Sequence, residues 1–179
     1  MGHNSSLEKE LSDPRREIQM ISASVNFQGP LFEKAADRIL KRILRAKVSA
    51  LTGFVRGSVV EKTPVGATGA LRSSIQEEIE ERGDEVIGYV FTNIEYALPV
   101  EFGSRPHFPP IEPLEYWARR KLQLSAAEAE NVAWRVARKI SQKGTEGHHM
   151  FEHGLKEGER MASKVSKDIA LEVTRDLGG

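Results

Sequence analysis

The 179 residues carry 26 Lys plus Arg against 26 Asp plus Glu, so the chain as a whole has no pull toward nucleic acid or anionic membrane, and any electrostatic function must be regional. Cysteine is absent, which removes disulfides, thiolate catalysis and Cys-based zinc or iron–sulfur sites together and suits a reducing compartment. No apolar run approaches the ~20 residues needed to cross a bilayer, so no membrane partner is expected, and the length suits one domain with a real core.

Residues 1–20 are polar where a secretory signal needs an apolar centre, and they hold too few large apolar groups to offset their ordering entropy. They read as a flexible leader that orders on a partner, ahead of a single domain over 21–179. Ile21, Ala23, Val25 and Phe27 alternate with polar residues and predict a half-buried strand ended by Gly29-Pro30. From Phe32, apolar residues at 3,4 spacing run through Ile39, Ile43, Leu44, Val48 and Leu51 and predict a long amphipathic helix to about Val60. Between Lys34 and Arg56 its polar face holds seven basic residues against the single acid Asp37. A solvated face is the plain reading. A phosphate-tracking surface would want aromatics interleaved with the cations, and none lies between Lys34 and Lys47. The counter-charge is expected inside the chain or in a neighbouring copy.

Residues 77–85, EEIEERGDE, carry six acids and one Arg between two predicted strands, Leu71–Glu80 and Val86–Thr92, and read as an acidic hairpin centred on Gly83. Five prolines between Pro99 and Pro113 make a rigid connector around one helical turn at Glu95–Phe102. Leu114, Trp117, Ala118 and Leu122 mark a short helix. Ser125 and Glu128 form a capping box that opens the next, whose buried stripe is Ala129, Val132, Ala133, Val136, Ala137 and Ile140 and which stops near Gly144. A last helix begins at about Met150.

The string His149-x-x-Glu152-His153, with His148 beside it, has the H-x-x-E-H order of inverted zinc peptidases: two histidines four apart on a helix can reach one metal, and a carboxylate can act as base. A third ligand has no candidate outside the same predicted helix, and the preceding GTEG reads as a flexible joint. No metal, cofactor or catalytic residue is therefore expected. GATGA at 66–70 lacks the Lys-Ser/Thr of a phosphate loop, and no nucleophile elbow occurs.

Two strings remain. In EKTPVGATGALRSSI (61–75), Thr63-Pro64 ends the basic helix, Gly66 and Gly69 allow positive φ, and Leu71 and Ile75 re-enter the core as a strand begins. In EYALPVEFGSRPHFPPIEPLEYWARRKL (95–122), charge and aromatic surface crowd a tight turn. The motifs Thr63, Pro64, Thr68, Gly69, Leu71, Arg72, Ser74, Ile75 and then Tyr96, Ala97, Val100, Glu101, Phe102, Gly103 resemble those of the tailed-phage neck, head-tail joining and tail-completion proteins, the gene-product-ten-like tail components of lambdoid phages.

The resemblance covers about residues 25–175. It implies an α+β fold, with a small antiparallel sheet packed by one long N-terminal helix and two to three C-terminal helices. It implies a structural virion protein at the neck or tail end, assembled in the host cytoplasm, that forms a homo-oligomeric ring, hexameric or dodecameric, and contacts other neck, portal-adaptor or tail-tube proteins, with DNA only as passing cargo. Ring contacts are then expected at Glu101, Phe102, Gly103, Arg105, His107 and Trp117, and between the basic helix (Lys41, Arg42, Arg45) of one subunit and the acidic hairpin (Glu77, Glu78, Glu80, Glu81) of the next. The alternatives are a nucleic-acid-binding regulatory module using helix 34–56 and, third, a zinc hydrolase.

Overall fold

The computed structural model describes residues 34–83 and 85–177, so the expected leader and the strand over 21–27 lie outside the described residues. The fold is α+β, mostly helical with a small antiparallel hairpin. Its contacts form two compact units, 34–61 with 75–93 and 151–177, and 62–74 with 94–150.

The first unit is built on α1 (Lys34–Lys62), whose 3,4-spaced apolar residues bury Ile43, Leu44, Val48, Leu51, Val55 and Val59. A hairpin of β1 (Gln76–Arg82) and β2 (Glu85–Phe91) lies on this stripe, turning at Gly83 as expected. Val86, Gly88 and Val90 face the helix, and Gly88 sits so close that a Cβ there would meet Thr52 Oγ1 at 1.9 Å. The last helix of the chain, α6 (Met150–Leu177), adds Ile169 to the cluster of Ile43, Leu44, Val48 and Val86. Gly154 lies against Val59, Glu172 pairs with Lys47 and Asp176 with Arg42, so α6 runs antiparallel to α1.

The second unit begins where Pro64, lacking an N–H, stops α1. It contains α2 (Ala70–Ser74), α3 (Ala97–Phe102), a two-residue ladder of β3 (Gly103–Ser104) with β4 (Thr145–Glu146), and a helical hairpin of α4 (Ile111–Leu122) and α5 (Ala126–Lys143). Ala129, Ala133 and Ala137, four apart on α5, and Ala118 of α4 are fully buried, and small side chains of this kind let helix axes approach closely.

Three sequence expectations need correction. The strand placed from Leu71 starts only at Gln76, and residues 70–74 are a helical turn. Leu71 and Ile75 are four apart as well as both buried, so their spacing fits a turn of helix. Thr68 Oγ1 accepts the Ala70 N–H at 3.2 Å and Gly69 C=O accepts the Ser73 N–H at 3.1 Å, which closes that turn. Gly66 is not among the glycines at positive φ, whereas Gly69 is, at +71°. The GTEG segment is not a free joint, because Thr145 and Glu146 pair with Ser104 and Gly103.

Candidate assembly surface

The 61–75 motif is a loop closed on itself. Thr63 is buried and its hydroxyl donates to Met150 Sδ at 3.2 Å. Arg72 reaches back so that Nε and Nη2 both donate to the Thr63 carbonyl, at 3.1 and 2.8 Å. A guanidinium fork suits one buried carbonyl at the end of a helix, where C=O groups have lost their intrahelical donors. Pro64 and Thr68 lie on the loop surface beside Gly66, and Leu71 anchors it in the interior. The motif residues hold the chain reversal together.

The second motif is likewise zipped to a distant segment. Val100 and Glu101 offer carbonyls to the N–H groups of His148 and His149, at 2.8 and 3.1 Å, and Ser104 Oγ lies 2.9 Å from Thr145 Oγ1. Backbone meets backbone here. A Cβ on Gly144, at φ +69°, would stand 1.9 Å from Ser104 O, and one on Gly103, at φ +79°, 2.3 Å from Thr145 O. Only glycine satisfies both the left-handed φ and the approach.

This geometry changes the reading of Glu101. It is 3 % exposed, so it is an interior residue and no surface contact. Phe102, its neighbour, is 69 % exposed. Arg105 and His107 are exposed, with His107 Nδ1 hydrogen-bonded to the Arg105 carbonyl at 2.9 Å, and Trp117 is half-buried on α4. His149 lies just before α6 with φ +50°, so it does not share a helix face with His153, contrary to the spacing argument for a zinc pair. Among the described residues no group of three His, Asp or Glu side chains is arranged to hold a metal ion.

The basic face of α1 is matched within its own chain. Lys41 pairs with Asp37, Arg42 with Asp176, Arg45 with Glu81 and Lys47 with Glu172. The hydrogen bond that Lys47 donates to the Glu172 carboxylate holds the ammonium above its ordinary pKa. The hairpin register explains the Glu81 contact: residues directly opposite share a face, so Glu77 and Glu81 join Val90 and Val86 on the side of α1. Glu77 accordingly places its carboxylate over Gly53. Glu78 and Glu80 point the other way, the latter paired with Arg82.

The most conspicuous exposed surface lies on residues that the sequence reasoning did not select. Phe108, from the Pro-rich connector, and Trp134, from α5, are 56 % and 52 % exposed, with ring centroids 5.8 Å apart and planes tilted by 51°. With Asn131, Arg135, Arg138 and Ser141 they line an open cleft of about 380 Å³. A signal was present: Trp134 falls one residue after the buried Ala133, outside the stripe, and a Trp placed off the buried stripe of an amphipathic helix faces outward. Tyr116 and Arg120 on α4, 5.9 Å apart, make a smaller cation–π pair.

Residues 31–103 match a protein-family model described as "Bacteriophage HK97-gp10, putative tail-component". No curated protein and no solved structure gives a significant match to the chain. The matched segment runs through α1, the 61–75 loop, the acidic hairpin and the second motif as far as Gly103. Residues 31–103 are thus an HK97-gp10-like segment, and they point to a phage tail-related structural component, as the motifs imply.

Proposed function

We propose that the protein is a ring-forming neck or tail-completion component that joins the capsid portal to the tail, assembled in the bacterial cytoplasm and carried in the virion, with a structural role and no catalytic one. The observation that carries this reading is the HK97-gp10-like match over 31–103. Exposed aromatics at Phe102, Phe108 and Trp134 support it, because large rings left in water have more use to an assembling subunit than to a monomer. Its partners are copies of itself and neighbouring neck, portal-adaptor or tail-tube proteins, with DNA passing through. The nucleic-acid module built on α1 has less support, since the cations it would need already face Asp37, Glu81, Glu172 and Asp176.

Light scattering and negative-stain imaging of the full chain test the ring: closed particles of one size are expected, and a monomer at high concentration overturns it. A phage or prophage lacking the gene should accumulate filled heads and separate tails, restored by the gene in trans. Normal virions from the deleted phage would overturn the joining role.

A further inference from the structure

We propose that the Phe108–Trp134 surface of α5 receives the outer face of the acidic β1–β2 hairpin of a second copy of this chain. The inference rests on the self-assembly part of the proposed function and assigns its contact. On the receiving side, Arg135 and Arg138 flank the two rings, both are exposed, and neither has a carboxylate partner among the described residues. Trp and Arg around a concave apolar spot are the residue types that dominate association energies.

The occupant follows from what is unmatched elsewhere in the chain. The hairpin register places Glu78 and Glu85 on the face turned away from α1, together with Ile87, Tyr89 and Phe91, which are half-buried. Glu78 and Glu85 are exposed and have no cationic partner among the described residues. Glu80 and Arg82 share this face as a pair, so it is net acidic with apolar and aromatic groups between, and the α5 face is basic with aromatic groups between. The two match in both charge and polarity. Because they are different patches, their pairing is heterologous, the kind of contact that closes a ring when the rotation allows. The basic face of α1 fits less well, since each of its pairs would first have to be broken. A single nucleic-acid strand is the other acidic occupant to weigh, but base stacking wants an open ring face. Trp134 and Phe108, tilted against each other, offer a notch.

The absence of native cysteine makes a direct test simple. Chains bearing only Glu78→Cys are mixed with chains bearing only Arg138→Cys and treated with a short bis-maleimide; Glu85→Cys with Arg135→Cys is a second pair, and Glu78→Cys with Lys164→Cys the control. A heterodimer from both test pairs, above the control and above either chain alone, is expected. In parallel, Arg135→Glu with Arg138→Glu should weaken assembly on the order of tenfold or more, and adding Glu78→Lys with Glu85→Lys in the same chain should restore most of it. Wild-type particles that form while the cross-links stay at control level and the reversals change nothing would overturn this contact and leave the ring standing. A wild-type chain that stays monomeric by light scattering would overturn the ring itself. Salt-sensitive binding of a fluorescent oligonucleotide that the arginine reversals abolish, with assembly intact, would overturn the contact in favour of a nucleic-acid surface.

Discussion

The same substitution at two helical glycines should change stability in opposite directions. Gly57, within α1, has no atom within 4 Å of where a Cβ would stand, so Gly57→Ala should stabilise the first unit by roughly 0.5–1 kcal/mol through helix propensity alone. Gly154, within α6, gains the same ~1 kcal/mol of propensity, but its Cβ would lie 2.3 Å from Val59 Cγ2 and 3.2 Å from the Val55 carbonyl oxygen. Valine on a helix has one favoured rotamer, and the carbonyl belongs to the helix backbone, so neither can yield without moving α1 from α6. Overpacking of that kind costs about 1–3 kcal/mol, which leaves a net loss of up to ~2 kcal/mol. For a chain of this length the melting temperature should rise by about 1–4 °C in the first variant and fall by a similar or larger amount in the second. Urea titrations of the single variants, and of Gly154→Ala combined with Val59→Ala, separate the steric part. The double variant should be more stable than the sum of the single losses implies, by roughly 0.5–3 kcal/mol. Equal stabilisation by both alanines would refute the close approach of α1 and α6.

Three further outcomes are expected. Gly144→Ala should cost at least about 1–2 kcal/mol from its positive φ, with more from displacing Ser104; hydrogen exchange should show faster loss of the His148 and His149 amide protons, and unchanged protection would count against the zipped segment. Arg72→Met should cost about 1–3 kcal/mol in urea unfolding by leaving the Thr63 carbonyl without its fork of donors, and Arg72→Lys should recover only part of it; full recovery by lysine would show that charge alone suffices. Glu128 accepts from the hydroxyl and the N–H of Ser125, which depresses its carboxyl pKa, so this cap contributes stability above the unfolded pKa and loses it as pH falls through the folded one; Ser125→Ala should return the NMR-titrated carboxyl toward the ordinary carboxylate value and flatten the acid side of the stability profile.

Elements with one strong period were legible. The 3,4 spacing of α1 and α6, the Ser125–Glu128 cap, the stop at Gly144 and the Gly83 turn all rest on local signals, and each appears where its residues place it. What the sequence hid was long-range pairing. Nothing near Gly103 announces that it will meet Glu146, so GTEG looked like a loose joint and Glu101 like a surface charge. The charge split was visible, but its resolution was not: Arg45 and Glu81 are 36 residues apart and meet only because the hairpin folds back on α1. The exposed surface was missed for a related reason. Phe108 lies among the prolines of the connector and Trp134 on a helix 26 residues further on, and the pair exists only in three dimensions.

The boundary of the family match bears on how much of the molecule the motifs explain. Each unit is completed by residues outside 31–103. In the first, α1 and the hairpin share a cluster into which α6 inserts Ile169, with Val165 and Val173 packed on it; without α6, the faces of Ile43, Leu44 and Val48 turned toward it would be open to water. In the second, Gly103 is the last matched residue and its ladder partner is Glu146, while the sulfur that receives the Thr63 hydroxyl belongs to Met150. Burial of a Val, Leu or Ile side chain is worth about 1.5–3 kcal/mol against a total stability of about 5–15 kcal/mol, so losing several such contacts removes most of the margin. The motifs therefore specify one half of a structure whose other half, including the Phe108–Trp134 surface, lies in the unmatched residues. A role in assembly that depends on that surface belongs to the whole chain, and the matched segment alone does not carry it.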